Sequence, residues 1–240
     1  MKILAVDSSG NTASAAVYID GVITALNSVN NNKTHSQTLL PMIEHAMKQA
    51  GIDVSELDAV AAAEGPGSFT GLRIGASTVK GLSFAAGIPI VPVSTLAALA
   101  YNFAGMDGII CPVMDARRGQ VYSAAYSFCG GCGDIINEIY GPRALPLDEV
   151  LDKLRGSYPD ERVIFPGDGV LVHESRIREV MEDKAFIALS HQRFQSAASV
   201  AMLAAQYYAD GKYVNGADFE PVYLRLSQAE RERIEKGLGR

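Results

Sequence analysis

The stretch Gly65–Gly75, GPGSFTGLRIG, decides how the first half of this chain is read. It follows the apolar run Leu57–Ala63 and opens a helical pattern from Thr70 to Ala86, so it is a strand-to-helix turn. A glycine-rich turn at a helix N-terminus favours an anion, which makes a phosphate loop the first idea to test. The pattern GxxxxGK[ST] fails, because Thr70 stands where its second glycine belongs and Arg73 is misplaced for the lysine. GxGxxG fails at Thr70 as well, and Ser68 lacks the spacing of a GxSxG nucleophile turn. What the segment supports is backbone geometry. Gly65, Gly67 and Gly71 permit a positive φ or a close backbone approach, and Pro66 stiffens the turn. Ser68 and Thr70 are placed to cap the helix start.

The helix launched here has only a narrow polar stripe, Arg73, Ser77 and Lys80. Its other faces carry Leu72, Ile74, Gly75, Ala76, Val79, Gly81 and Leu82, more than the single apolar stripe a helix on a sheet needs. Each interior glycine costs about 1 kcal/mol relative to alanine, a cost that fits a second backbone coming close. Two readings follow: a helix buried between domains, or a face that docks another molecule. The second is preferred, with Leu72, Gly75, Ala76, Val79 and Leu82 as its contacts.

Upstream lie three strands. Ile3–Val6 is followed by Ala13–Tyr18 and Val22–Val29, the last two joined by the hairpin dipeptide Asp20-Gly21. Leu39, Leu40, Met42, Ile43, Ala46, Met47 and Ala50 then recur at helical spacing up to Gly51, with Pro41 predicting a kink or a late start. Downstream of about Gly108 the theme repeats. Ile109–Met114, Gln120–Phe128 and Ile135–Tyr140 read as strands and Pro146–Leu154 as a helix. Val163–Phe165 is a strand, Val170–Met181 a helix and Ser196–Ala209 a final alanine-rich helix. Two β-β-β-α-β-α units in tandem predict an α/β protein with a duplicated ribonuclease-H-like fold, as in the actin and sugar-kinase (ASKHA) superfamily. The expected division is residues 1–106, residues 107–225 with helix 196–209 packing back on the first unit, and a charged tail 226–240.

Composition narrows the function classes. With 240 residues, 48% hydrophobic and 20% charged, the chain has a real core, and no run reaches the roughly 18 apolar residues of a membrane span. No secretory leader is evident, so a cytoplasmic protein is expected. The net charge of −6 argues against a protein whose main task is gripping phosphate backbones, although a local basic patch is compatible with it. Cys129-Gly-Gly-Cys132 has CxxC spacing but no second ligand pair for a structural zinc and no helix start for a redox pair; two reduced thiols flanking a loop are expected.

The remaining motifs leave choices open. Asp7-Ser8-Ser9-Gly10-Asn11-Thr12 reads equally as a vestigial first phosphate loop, centred on Asp7, Ser8 and Ser9, or as a capped hairpin turn. Gly167-Asp168-Gly169 lies where that superfamily places an adenosine contact. His35 has Leu39, not a ligand, four residues on, so no metal is expected. Asp115-Ala-Arg117-Arg118 brings one acid near two bases, either as an ion-pair cluster or as a partner contact.

Taken in order, ILAVDSS, HSQTLLP, EGPGSFTGLRIG, Lys80-Gly-Leu82, IPIVPVSTLAALA, MDARRGQVY, GDG and PVYLR resemble the TsaB (YeaZ-type) family nearly end to end. That family serves bacterial synthesis of N6-threonylcarbamoyladenosine at position 37 of tRNA. The resemblance implies a non-catalytic subunit that supports a TsaD-type catalytic subunit. The catalytic relative carries a metal-binding HxxxH on the helix where this chain has His35 and Leu39. The resemblance also implies pairing through the first two helices, which adds His35, Leu39, Met42, Ile43 and Ala46 to the expected interface, and a homodimer through the same surface. A TsaE-type ATPase is expected to join, ATP and metal to sit on partner subunits, and tRNA to be met only indirectly. The alternatives are a glycoprotease-like hydrolase and an independent ATP-dependent kinase of the same superfamily.

Overall fold

A computed structural model describes residues 1–31, 34–128 and 135–225. Cys129, Cys132 and the charged tail 226–240 lie outside the described residues. The first lobe is built from β1 (Lys2–Asp7), β2 (Ala13–Ile19), β3 (Val22–Val29), α1 (His35–Ala50), β4 (Ala59–Gly65), α2 (Phe69–Ala86) and β5 (Ile90–Ser94). Its sheet runs β3-β2-β1-β4-β5, antiparallel on the β3 side and parallel on the β5 side. A connecting helix, α3 (Thr95–Tyr101), leads to the second lobe. There follow β6 (Ile109–Ile110), β7 (Val113–Asp115), β8 (Gln120–Phe128), β9 (Ile136–Pro146), α4 (Leu147–Ser157), β10 (Val163–Phe165), α5 (Gly169–Met181) and β11 (Ala185–Ile187). Two more helices, α6 (Ser190–Arg193) and α7 (Ala197–Ala209), follow.

The second sheet repeats the first with one strand broken. β8 pairs with β9 on one side and with β6 and β7 on the other, while β10 and β11 extend the sheet beyond β6 in parallel. Ile110 faces Tyr126 and Val113 faces Ser123, so β6 and β7 keep one register across the gap. The expected single strand Ile109–Met114 is thus divided at Pro112, which has no N–H to give to a ladder. Counted this way, each sheet has the order 3-2-1-4-5 of a ribonuclease-H-like unit, and the fold is the duplicated actin-like one.

Alternation along β1 shows how the layers stack. Leu4 and Val6 belong to a core under α1 and α2, while Ile3 and Ala5 face α3 and α7. A strand buried on both faces reads as continuously apolar, as IL-A-V does. Val200, Ala201, Leu203 and Ala204 of α7 pack against Ile3, Ala5, Ala61 and Val93 of the first sheet, in a core that also reaches Ala124 and Tyr126 of the second. The second sheet's far side is covered by α4 and α5 through Val150, Leu151, Leu154 and Ile177. The helix α1 starts at His35, not late, and holds Pro41 inside; Gly51 at φ 69° ends it with the Ile52 N–H bonded to the Met47 carbonyl.

Candidate functional site

The glycines of the opening motif form a groove along α2, and this chain's own backbone fills it. A Cβ on Gly67 would lie 2.3 Å from the Ser9 carbonyl oxygen, one on Gly71 2.0 Å from the Ser8 carbonyl oxygen, and one on Gly75 2.5 Å from Ser8 Oγ. The β1–β2 turn therefore rests directly on α2. Ser8 Oγ–H donates to the Gly71 carbonyl at 2.9 Å and the Ser68 N–H donates to the Ser9 carbonyl at 2.7 Å. Ser68 Oγ caps α2 by accepting the Gly71 N–H at 3.3 Å; Thr70 lies one step inside the helix and makes no cap. The close approach that Gly75 allows is made within the chain, which corrects its place among the partner contacts. Gly81 meets nothing within 4 Å and faces outward.

Beneath this turn sits a buried carboxylate. Asp7 Oδ1 accepts the Ser9 N–H at 2.9 Å and the Ser9 hydroxyl at 2.6 Å, while its Oδ2 has no partner. Burial pushes Asp7 up to about 6 from 3.8, against the pull of both Ser9 bonds and of His35. His35 Nε2–H donates to the Gly10 carbonyl at 2.7 Å, which ties the start of α1 to the same turn; its Nδ1 is unpartnered. The hydroxyls of Ser8 and Ser9 are thus already committed at the suspected phosphate loop.

Between the lobes lies a cleft of about 510 Å³, bordered by the β1–β2 turn, the start of α2, Asp115, Arg117 and Asp168. A C-terminal strap crosses its mouth, anchored mostly to the first lobe. Lys80 Nζ donates to the carbonyls of Ala217 and Phe219 at 3.1 and 2.8 Å, and Phe219 is buried in the first lobe's outer core. The Val222 N–H donates to the Glu64 carbonyl at 2.7 Å. Gly65, at φ 125°, leaves room for the Val222 carbonyl, which would lie 2.4 Å from a Cβ. Tyr223 stacks on Phe69 at 4.7 Å, Arg73 covers the same ring at 4.0 Å and its Nε donates to the Tyr223 hydroxyl at 3.4 Å. Arg225 then reaches the second lobe, donating to the carbonyls of Ala116 and Arg117. The strap is the part of the site that pattern reading missed. Its trace in the sequence was the closing PVYLR.

On the far side of the cleft, Gly167, at φ 107°, and Gly169 pack against the β7 backbone around Val113 and Met114. Asp168 Oδ1 accepts the Asp115 N–H at 3.3 Å, and burial, then the nearby Asp115 charge, raises the Asp168 carboxyl. Asp115 accepts the backbone N–H of Arg117 at 2.7 Å, so the acid is bonded to the turn's main chain, and neither arginine forms an ion pair with it.

The sequence pattern of the family described as "TsaD: tRNA N6-adenosine threonylcarbamoyltransferase" matches residues 27–233. The chain is 33% identical, over 98% of its length and 99% of the relative's, to the tRNA threonylcarbamoyladenosine biosynthesis protein TsaB of Bacillus subtilis. It belongs to the TsaB (YeaZ-type) family. TsaB of Escherichia coli is 30% identical over 95% of the chain and 96% of its own. The solved structure of YeaZ from Pseudomonas aeruginosa superposes with a TM-score of 0.79 at 28% identity, covering 93% of this chain and 99% of that one.

In this TsaB-family chain the two outer helices have distinct faces. Leu39, Met42, Ile43 and Ala46 of α1 and Ala76 and Val79 of α2 are buried against the first sheet, because that sheet's outer face must be covered, and Leu72 is buried beside Gly65. These seven belong to the chain's own core, a correction to the expected contact set. His35 and Leu82 are half-buried. The outward side instead presents Leu40, 58% exposed, and Phe84, 91% exposed, beside Pro41, Gly81 and Ala85. Phe84 was overlooked; its signal was a bulky aromatic in a row of small residues.

Proposed function

We propose that this chain is a non-catalytic subunit of a tRNA threonylcarbamoyladenosine-forming assembly in the cytoplasm, docking a TsaD-type catalytic subunit on the outer side of α1 and α2. The observation that carries this reading is Phe84, a phenyl ring 91% exposed on α2, next to the exposed Gly81 and Ala85 and one turn beyond Lys80. A ring so placed is a cost in water and a strong anchor in a partner's pocket. A second copy of the chain competes for the same face when the catalytic subunit is absent, and a TsaE-type ATPase joins the assembled pair. Support for the non-catalytic role comes from the committed hydroxyls of Ser8 and Ser9 and from Leu39 being packed in the core where the catalytic relative is expected to carry its second histidine. ATP and metal then belong to the partner subunits.

The test is reconstitution. The purified chain is mixed with its TsaD-type subunit, a TsaE-type ATPase, a TsaC-type donor enzyme, ATP, threonine, bicarbonate and unmodified tRNA. The expected result is tRNA modification that depends on the chain, with no ATP hydrolysis by the chain alone. Absence of any stimulation would sink the reading.

A further inference from the structure

The turn between β7 and β8 is built against the preferences of its own residues. Arg117 at φ 62°, Arg118 at φ 58° and Gly119 at φ 73° are three consecutive residues in the left-handed region. Glycine enters that region freely. Other L-residues do so rarely, usually singly, and usually as Asn or Asp. A chain that needed only to reverse direction here would do better with Asn-Gly or Asp-Gly. The surrounding structure holds the unfavourable shape in place. The Asp115 carboxylate accepts the Arg117 N–H at 2.7 Å, the Ala116 N–H donates to the Gln120 carbonyl at 3.0 Å, and the Gln120 N–H returns to the Arg117 carbonyl at 3.3 Å. Arg225 of the strap clamps the Ala116 and Arg117 carbonyls. Strain that is over-determined in this way is a mark of a functional site.

What the strained turn displays is positive charge. Both arginines are exposed, and neither guanidinium has an ion pair or hydrogen bond among the described residues. Asp115 and Asp168 lie beside the turn, but each is bonded to a main-chain N–H of the lobe, and neither forms an ion pair with Arg117 or Arg118. Arg225 adds a third cation beside them, and the half-exposed ring of Tyr223 borders the same cleft mouth. Free guanidinium forks on a rigid backbone suit phosphate oxygens, and an adjacent aromatic ring suits an unstacked base. In a chain of net charge −6, one such patch confines a polyanion to a single place and orientation.

We infer that the Arg117-Arg118-Gly119 turn contacts the phosphodiester backbone of RNA. An acidic protein is the less favoured occupant, because the outer side of α1 and α2 is already proposed above as the protein-docking face. This inference rests on the assembly role proposed above and departs from the expectation that tRNA is met only indirectly.

The experiment uses the full chain bound to its TsaD-type subunit and an unmodified tRNA transcript as probe. Affinity is measured by fluorescence anisotropy over a salt series, and retention of the catalytic subunit by size exclusion. R117E/R118E is expected to weaken RNA binding by roughly tenfold or more and to lower the salt slope by about 1.4–1.8, two phosphate contacts' worth, while the assembly stays intact. R118G separates function from folding, since glycine suits this backbone. It is expected to raise the melting temperature by about 2–4 °C and still weaken RNA binding. Unchanged affinity and slope in intact assemblies of both variants would overturn the inference. Loss of the catalytic subunit from R117E/R118E would overturn it too, by placing the arginines against protein. If the wild-type chain fails to join a TsaD-type subunit, the assembly role itself fails; weakened RNA binding is specific to the turn.

Discussion

The duplicated lobes place a hairpin turn at the same position in each sheet, and the two turns are used in opposite ways. In the first lobe the β1–β2 turn lies on the glycine groove of α2 and is bonded to it at Ser8 and Ser9. In the second lobe the β7–β8 turn is exposed, left-handed at three successive residues and tipped with two arginines that form no ion pair among the described residues. The helix that follows each fourth strand makes the same contrast. Glycines at 67, 71 and 75 bring α2 onto Ser8 and Ser9, while Gly167 and Gly169 bring α5 only onto the β7 backbone and leave the turn beyond it free. One copy of the fold has been closed into a rigid support, and its sister has kept an open edge. Duplication lets each lobe serve one need without compromise to the other.

The contrast is easiest to break at the groove. Gly71→Ala sets a methyl 2.0 Å from a backbone carbonyl that has no room to retreat. It is expected to cost about 3–4 kcal/mol in urea unfolding. A cost below 1 kcal/mol would show that the turn is not pressed on the helix. The next effect concerns the acid beneath the turn. Asp7 has a folded value of about 6 against 3.8. Between those values the folded chain keeps a proton that the unfolded chain releases, so stability falls as pH rises through that window and is flat above it. Relative to Asp7→Asn, which does not titrate, the wild type is therefore expected to lose roughly 2.4 kcal/mol between pH 4 and pH 7. Parallel stability curves for the two proteins would contradict the buried, half-bonded carboxylate. The smallest effect has the opposite sign. Gly81→Ala, in the same helix but facing open space, is expected to add about 1 kcal/mol.

Much of the fold was legible because its signals are local. The Asp20-Gly21 hairpin, the helical spacing that ends at Gly51 and the alternating faces of β1 all act within a few residues. Pro112 and Pro92 blurred β7 and β5, although a proline at an interrupted strand or near a sheet edge is compatible with pairing. β9 runs on through Gly141 and Pro142 to Pro146 because shifts in register opposite Ala125 absorb them. The site was harder to read, for a physical reason. The spacing of Gly67, Gly71 and Gly75 announces a groove but not its occupant, which lies some sixty residues upstream at Ser8. Likewise, a wheel that counts apolar residues cannot tell Val79, needed by the sheet below, from Phe84, bare above it. The left-handed turn at Arg117 and Arg118 has no sequence signature, because those residue types do not favour it.

The central claim, that the outer side of α1 and α2 is the docking surface, is tested most directly by Phe84→Glu in co-purification with the TsaD-type subunit. The ring touches little of its own chain, so the melting temperature is expected to stay within about 1–2 °C of the wild type. Loss of the catalytic subunit from the variant, together with loss of tRNA modification in the reconstituted reaction, is the result predicted here. A variant that folds, retains its partner at wild-type affinity and supports modification at the wild-type rate would contradict the claim.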